Sequence, residues 1–332
     1  MGALFGAIGS VFKFHKLKIF FIVVFAAVFG VLTFPYGDLS GILPTVIYEK
    51  TGNQIYVQFE DFGLNLFPLG LSMDEVLAEI PGRAPIEAAH VDASPWILGA
   101  VTGKMGASID AQELFGGAIV ADYREGDKAK SGNRFANVAV DAQGLKLPLI
   151  TEFLRNSGMA SFSLVGAANI STQLQIDAMF KDQPSGDIEA TFTGLTVPAQ
   201  VFNVQVQGGV MQNPIPEVKV GPAKLSAKMS AGRLDITELS FGSSKDSVAG
   251  RIKGNIALQV LKDQLGTRPQ MGEMDLVVDL TMKKAFLDSD KSLQLATLLI
   301  AQFGREVADG TRYQFRMKMA PGMPLPQFSA VQ

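Results

Sequence analysis

Apolar and polar residues alternate with a period of two through most of this chain, and one stretch near its start departs from that rule. Ile55–Phe59 sets Ile55, Val57 and Phe59 on one side and Tyr56 and Gln58 on the other, the pattern of a half-buried strand. Similar patterns predict strands over Leu71–Ile80, Ile86–Asp92, Met105–Leu114, Ala118–Arg124, Phe135–Ala142, Ala160–Ala168 and Ser171–Met179. Further strands are expected over Asp187–Thr193, Val201–Gln207, Val218–Gly221, Ala223–Ser230, Arg233–Phe241, Val248–Leu258, Met274–Met282 and Arg312–Met319. Phe115-Gly116-Gly117, Pro184-Ser185-Gly186, Asn213-Pro214 and Ala231-Gly232 read as turns between them. Glu125-Gly126-Asp127 and Ser131-Gly132-Asn133 bracket a solvated loop, and Lys262–Gly272 reads as another. Short helices are expected at Leu39–Lys50, Pro95–Val101 (capped by Ser94), Leu149–Asn156 and Lys291–Phe303. Strand, helix and strand recur at three places, which suggests one sheet grown by one kind of unit.

The exception is Ile19–Phe34, sixteen residues without a charge. Ile19, Phe20, Phe21, Ile22, Val23, Val24, Phe25, Val28, Phe29, Val31 and Leu32 supply its apolar surface, and Pro35 stops it. A spanning helix needs about 20 apolar residues, so Leu17 and Tyr36 extend it and Lys18 snorkels to the headgroups. Lys13, Lys16 and Lys18 precede it with no acidic residue among the first eighteen. The positive-inside rule then leaves the N-terminus in the cytoplasm and everything after Pro35 outside. A cleaved signal peptide is the competing reading, but Phe29, Leu32 and Phe34 crowd the exit where an A-x-A-like site belongs. The chain thus divides into a tip and anchor over 1–36 and a strand-rich body over 37–332. The expected fold class is mainly β: an N-terminal transmembrane helix, then a long curved antiparallel sheet with a few short helices packed on its concave side.

Composition narrows the chemistry. The net charge of -3 makes no electrostatic case for nucleic acid. With no cysteine, disulfides, thiolate catalysis and Cys-ligated metals are excluded. Of the two histidines only His90 lies beyond the anchor. It shares a strand face with Asp92, with Glu113 or Asp122 as further neighbours, and a general base and a polar-face histidine are its two readings. Trp96 anchors the short helix after Ser94 or stacks a ligand. The pairs Glu60-Asp61 and Asp74-Glu75 point to opposite strand faces. No Walker A loop, dinucleotide-binding glycine motif or nucleophile elbow is present. The expectation is a non-enzyme with no catalytic, cofactor-binding or metal site.

Several stretches resemble the type II secretion system protein N family of Gram-negative bacteria. These are the anchor with Phe34-Pro35-Tyr36; Asn65-Leu66-Phe67-Pro68-Leu69-Gly70; the helix after Ser94 with Gly116-Gly117 downstream; Val248-Ala249-Gly250-Arg251-Ile252-Lys253-Gly254; and Asp309-Gly310-Thr311-Arg312-Tyr313-Gln314-Phe315. The pattern is also similar to the broader AsmA-like proteins. The first resemblance implies a single-pass inner-membrane accessory of protein secretion, a scaffold contacting other inner-membrane secretion components from the periplasm. The second implies an apolar groove whose partner is lipid.

Overall fold

A computed structural model describes residues 41–66, 69–128, 134–157, 162–177, 182–206, 209–263, 266–290, 293, 297–298, 300–321 and 326–331. Helix α1 (Leu43–Lys50) leads into β1 (Tyr56–Gln58), β2 (Asp61–Leu66), β3 (Leu69–Glu79) and β4 (Ile86–Pro95). Helix α2 (Ile97–Val101) precedes β5 (Gly106–Leu114), β6 (Gly117–Lys128) and β7 (Arg134–Lys146). Helix α3 (Leu147–Asn156) precedes β8 (Val165–Asp177) and β9 (Ser185–Val197). The hairpin β10 (Gln200–Val206) and β11 (Gly209–Ile215) forms a small sheet of its own. Then come β12 (Val218–Ser230), β13 (Arg233–Phe241), β14 (Val248–Asp263) and β15 (Gly266–Lys283). Helix α4 (Lys284–Leu287), a 3-10 turn at Ala301–Phe303, β16 (Gly304–Val307), β17 (Gly310–Met319) and β18 (Gln327–Ala330) close the order.

The mainly β expectation holds. One antiparallel sheet runs β1-β3-β4-β5-β6-β7-β8-β9-β12-β13-β14-β15-β17-β16, with β2 also on β3 and β18 also on β17. Each border of the sheet is therefore a strand in two pieces. β1 pairs with Leu77–Glu79 while β2 pairs with residues 69–74. β16 pairs with residues 310–313 and β18 with residues 315–318. Such short border strands blunt edge-to-edge association.

The register turns the period-two pattern into rows that cross the whole sheet. Phe62, Met73, Val91, Ala111, Ile119, Ala142 and Ile170 stand opposite one another in succession. The row continues through Ala190, Leu225, Leu239, Ile252, Val278, Phe315 and Ala330. All fourteen positions are apolar. Two residues along each strand a second row runs from Leu64 and Leu71 to Met317 and Phe328, broken in character only by Thr172. The opposite face carries rows such as Asp92, Asp110, Val120, Asp141, Ser171 and Glu189.

Two clusters seat non-strand segments on the apolar face. Leu147 and Ile150 of α3 pack against Ala142, Leu145, Ala168 and Ile170, and Ala168 is only 1 % exposed. Pro148 in the first turn fits that helix, because its missing N–H has no intrahelical partner there. At the other end Ile300 and Phe303 join Leu276, Val278, Tyr313, Phe315 and Phe328.

Several expectations need correction. Ala160–Ala168 and Ser171–Met179 are not two strands: β8 runs unbroken from Val165 to Asp177. Val218–Ser230 is likewise one strand, irregular around Gly221. Asn213-Pro214 lies inside β11, not in a turn. The expected loop Lys262–Gly272 is mostly the paired ends of β14 and β15, and Glu125-Gly126-Asp127 belongs to β6. Ser94 and Pro95 are the last residues of β4, opposite Ser108 and Ala107, so Ser94 caps no helix. β2, β11 and β16 were not expected. The anchor over 19–34, with Lys13, Lys16 and Lys18, lies outside the described residues, as do six of the thirteen residues of Lys291–Phe303. Among the described residues no helix is long and apolar enough to cross a membrane.

Candidate functional site

His90 is the best-connected titratable side chain on the polar face near the first border. Its Nδ1 lies 2.5 Å from Asp74 Oδ1, and its Nε2 lies 3.2 Å from Asp92 Oδ2 and 3.4 Å from Ser72 Oγ. Asn65 on the border strand β2 donates from Nδ2 to Asp92 Oδ1 at 2.6 Å. Alternation along β4 puts His90 and Asp92 on one face, as expected. The third member is Asp74, which stands directly opposite His90 in the β3–β4 register. Neither Glu113 nor Asp122 appears among the partners of His90.

Hydroxyl, imidazole and carboxylate here stand in the connectivity of a hydrolase triad, Ser72 to His90 to Asp74. The second carboxylate changes the chemistry. The hydrogen bond to Asp74, followed by contact with Asp92, raises the imidazole pKa above 6.5 despite partial desolvation. While protonated, a ring between two carboxylates donates from both nitrogens and has no lone pair to take the Ser72 proton. The cluster is a clamp: it ties β2 to β4 across β3.

That clamp makes a pH prediction. Because the folded pKa is raised, the stabilisation is complete below about pH 6.5 and fades as pH rises through the folded value. The His90 side chain is 29 % exposed and that of Asp74 52 %, so solvent screening limits the effect to about 1 kcal/mol at most. Thermal melts of wild type and His90→Ala should differ at about pH 5.5 and converge at about pH 8.5. A gap that widens toward alkaline pH would refute the clamp.

A hollow of about 510 Å³ sits beside this cluster, lined in part by Glu60, Glu75, Glu87 and Glu113. Glu75 and Glu113 adopt positive φ, 49° and 60°, which sequence reasoning missed because bulge and turn positions of this kind usually carry Gly or Asn. Among the described residues no group of His, Asp and Glu is arranged to hold a metal ion.

Trp96 packs under α2. Its ring crowds Gly99 and Gly106, and the Arg124 guanidinium lies 5.8 Å from its centroid. That matches the anchoring reading of the residue. The helix it anchors does not plug the sheet, however: Ile97 and Leu98 are 52 % and 76 % exposed. At the far end of the polar face, Arg312 grips Asp279 and Arg316 grips Asp275, each through two hydrogen bonds that join β15 to β17. These guanidinium groups hold both carboxyls below their usual range.

No family model, curated protein or solved structure matches this chain.

Proposed function

We propose that the chain is a single-pass inner-membrane protein whose periplasmic sheet serves as a partner-contacting scaffold of a type II secretion system. The observation that carries this reading is how the apolar face is covered. A scaffold fills that face with its own segments, and α3 does so through Leu147 and Ile150, as Ile300 and Phe303 do near the second border. We read the sheet as curved with the apolar rows on its concave side. In support, β12 and β14 come within 8 Å across β13 (Cα to Cα), where a flat sheet sets alternate strands about 9.6 Å apart. Among the stretches resembling the secretion family, Asn65–Gly70 spans the β2–β3 hairpin and Val248–Gly254 opens β14. Asp309–Phe315 turns into β17, so all three act as framework. The anchor would raise the local concentration of the body for its partners.

Deleting the gene in the native host should trap exported proteins in the periplasm, read by comparing periplasmic and extracellular fractions. Unchanged export would sink the reading.

A lipid-carrying body is the second reading, and one feature favours it. Toward the first border, before the cluster under α3, the rows stay open: Ile109 is 44 % and Tyr123 40 % exposed, at the end of the sheet where Ile97 and Leu98 project. Native mass spectrometry of the full chain released from detergent separates the two. Stoichiometric phospholipid, reduced by Ile109→Asp, would establish the carrier. A lipid-free protein would leave the scaffold.

A further inference from the structure

The polar face is electrically divided along the order of its strands. Residues 41–206 carry 19 carboxylates and 10 Lys or Arg, whereas residues 209–332 carry 12 carboxylates and 16 Lys or Arg. Registers place this division on one surface. Asp92, Asp110, Asp122, Asp141, Asp187 and Glu189 point from β4–β9 to the same face. Lys224 and Lys228 follow on β12, Arg251 and Lys253 on β14 and Arg312, Arg316 and Lys318 on β17. These outnumber Asp235, Glu238, Asp275 and Asp279 on the same face, while Arg124 is a basic residue among the acidic strands. His90 approaches Asp92 at 3.2 Å, and Asp110, directly opposite Asp92, is the like-charge neighbour whose repulsion a further cation relieves. Lys224, Lys228 and Lys253 have no ion-pair partner among the described residues. The face is also indented. One hollow is bounded by Asp122, Asp187 and Lys228, and another by Asp141 and Glu189.

We propose that this face binds a second copy of the chain, related by a two-fold axis that runs parallel to the strands between β9 and β12. Because this face is the convex one, the copies meet along the axis, where Lys224 and Lys228 on β12 of one copy lie over Asp187 and Glu189 on β9 of the other, twice, as an isologous interface requires. Any other arrangement that stacks the faces puts acid on acid or reverses the strands. This axis preserves strand direction. Helix α1 packs at β1, which pairs with the last residues of β3, so the N-terminus of α1 lies at the same end in both copies. Two membrane anchors in one bilayer are compatible with that dimer and not with one of reversed strands. The charge pattern stands apart from the secretion reading, and the choice of axis rests on the membrane anchor that the proposed function includes.

The axis passes close to Ser226, which lies opposite Glu189 and Glu238 on the polar face. Because the chain has no cysteine, Ser226→Cys reports on that position alone. Faces stacked about 10 Å apart hold the two copies of this position beyond disulfide reach, so in mild detergent the full-length Ser226→Cys variant should be captured as a covalent dimer by a bismaleimide with a span of about 10 Å. Sedimentation velocity of the full chain should show dimer at about 0.1 M salt and chiefly monomer at about 1 M, as the screening length falls from roughly 10 to 3 Å. Lys224→Glu with Lys228→Glu should abolish the dimer at low salt. Adding Asp187→Lys and Glu189→Lys should restore it, which also shows that the reversed chains fold. A chain that stays monomeric at low salt would overturn the proposal, and if it then binds polylysine the acidic half serves a cationic partner instead. A dimer indifferent to both salt and charge reversal would overturn it equally.

Discussion

Phe315→Ala should destabilise the body by about 3–5 kcal/mol, the largest loss expected from a single truncation. Phe315 is 5 % exposed and belongs to the apolar row that crosses the large sheet from β2 to β18. Its ring meets Phe328 edge-on at 5.5 Å and Phe303 at 6.1 Å. Three separate segments therefore converge on one side chain: β17 itself, the border strand β18 and the 3-10 turn before β16. Alanine would leave a cavity that these segments cannot refill without giving up their strand registers. The change should appear as a lower denaturant midpoint by far-UV circular dichroism. Phe328→Ala, at a half-buried site on a border strand, should cost less than half as much. A loss below about 1 kcal/mol for Phe315→Ala would show that the second border is not held by this cluster.

Gly186→Ala is the second large effect, expected at about 3 kcal/mol. Gly186 sits in β9 at φ 149°, between Leu174 and Met229. An added Cβ would stand 1.9 Å from the Gln173 carbonyl oxygen and 2.8 Å from Leu174 Cα. Both are backbone atoms of the adjoining strand and cannot rotate away, so β8 and β9 must separate locally. Gly144→Ala provides the contrast. It also has positive φ, 68°, but nothing lies within 4 Å of its added Cβ, so only the backbone conformation is strained, at about 1 kcal/mol. Equal losses at the two positions would mean that the close approach at Gly186 is relieved elsewhere.

Alternation carried the strands because each pairs on both sides and has one apolar face, so its period is preserved along its length. Boundaries were legible only where turn residues coincide with turns. Asn169 and Ser171 look like a break between strands, yet they belong to the polar face of β8, where hydrophilic residues are the rule. Gly221-Pro222 resembles a turn but marks an irregular register between β9 and β12. Pro269 and Gly272 made the tip of β15 look like a loop, although Pro269 stands opposite Val260 in the ladder. At the His90 cluster, the shared face of His90 and Asp92 follows from spacing within one strand. The role of Asp74 depends on the β3–β4 register, which no local pattern encodes. The crossing apolar rows were illegible for the same reason, since they exist only once thirteen registers are known together.

Strand order along the sheet follows order along the chain from β3 to β9 and from β12 to β15. Pairing in these runs closes a loop no longer than a turn or one short helix, and closure entropy rises only slowly from so small a base. Large β proteins usually fold late and slowly because their contacts are remote in sequence. This one can be assembled vectorially. A chain delivered N-terminus first can lay down β3 to β9, with α3 docked on their apolar side, before β12 exists, and each completed strand templates the next.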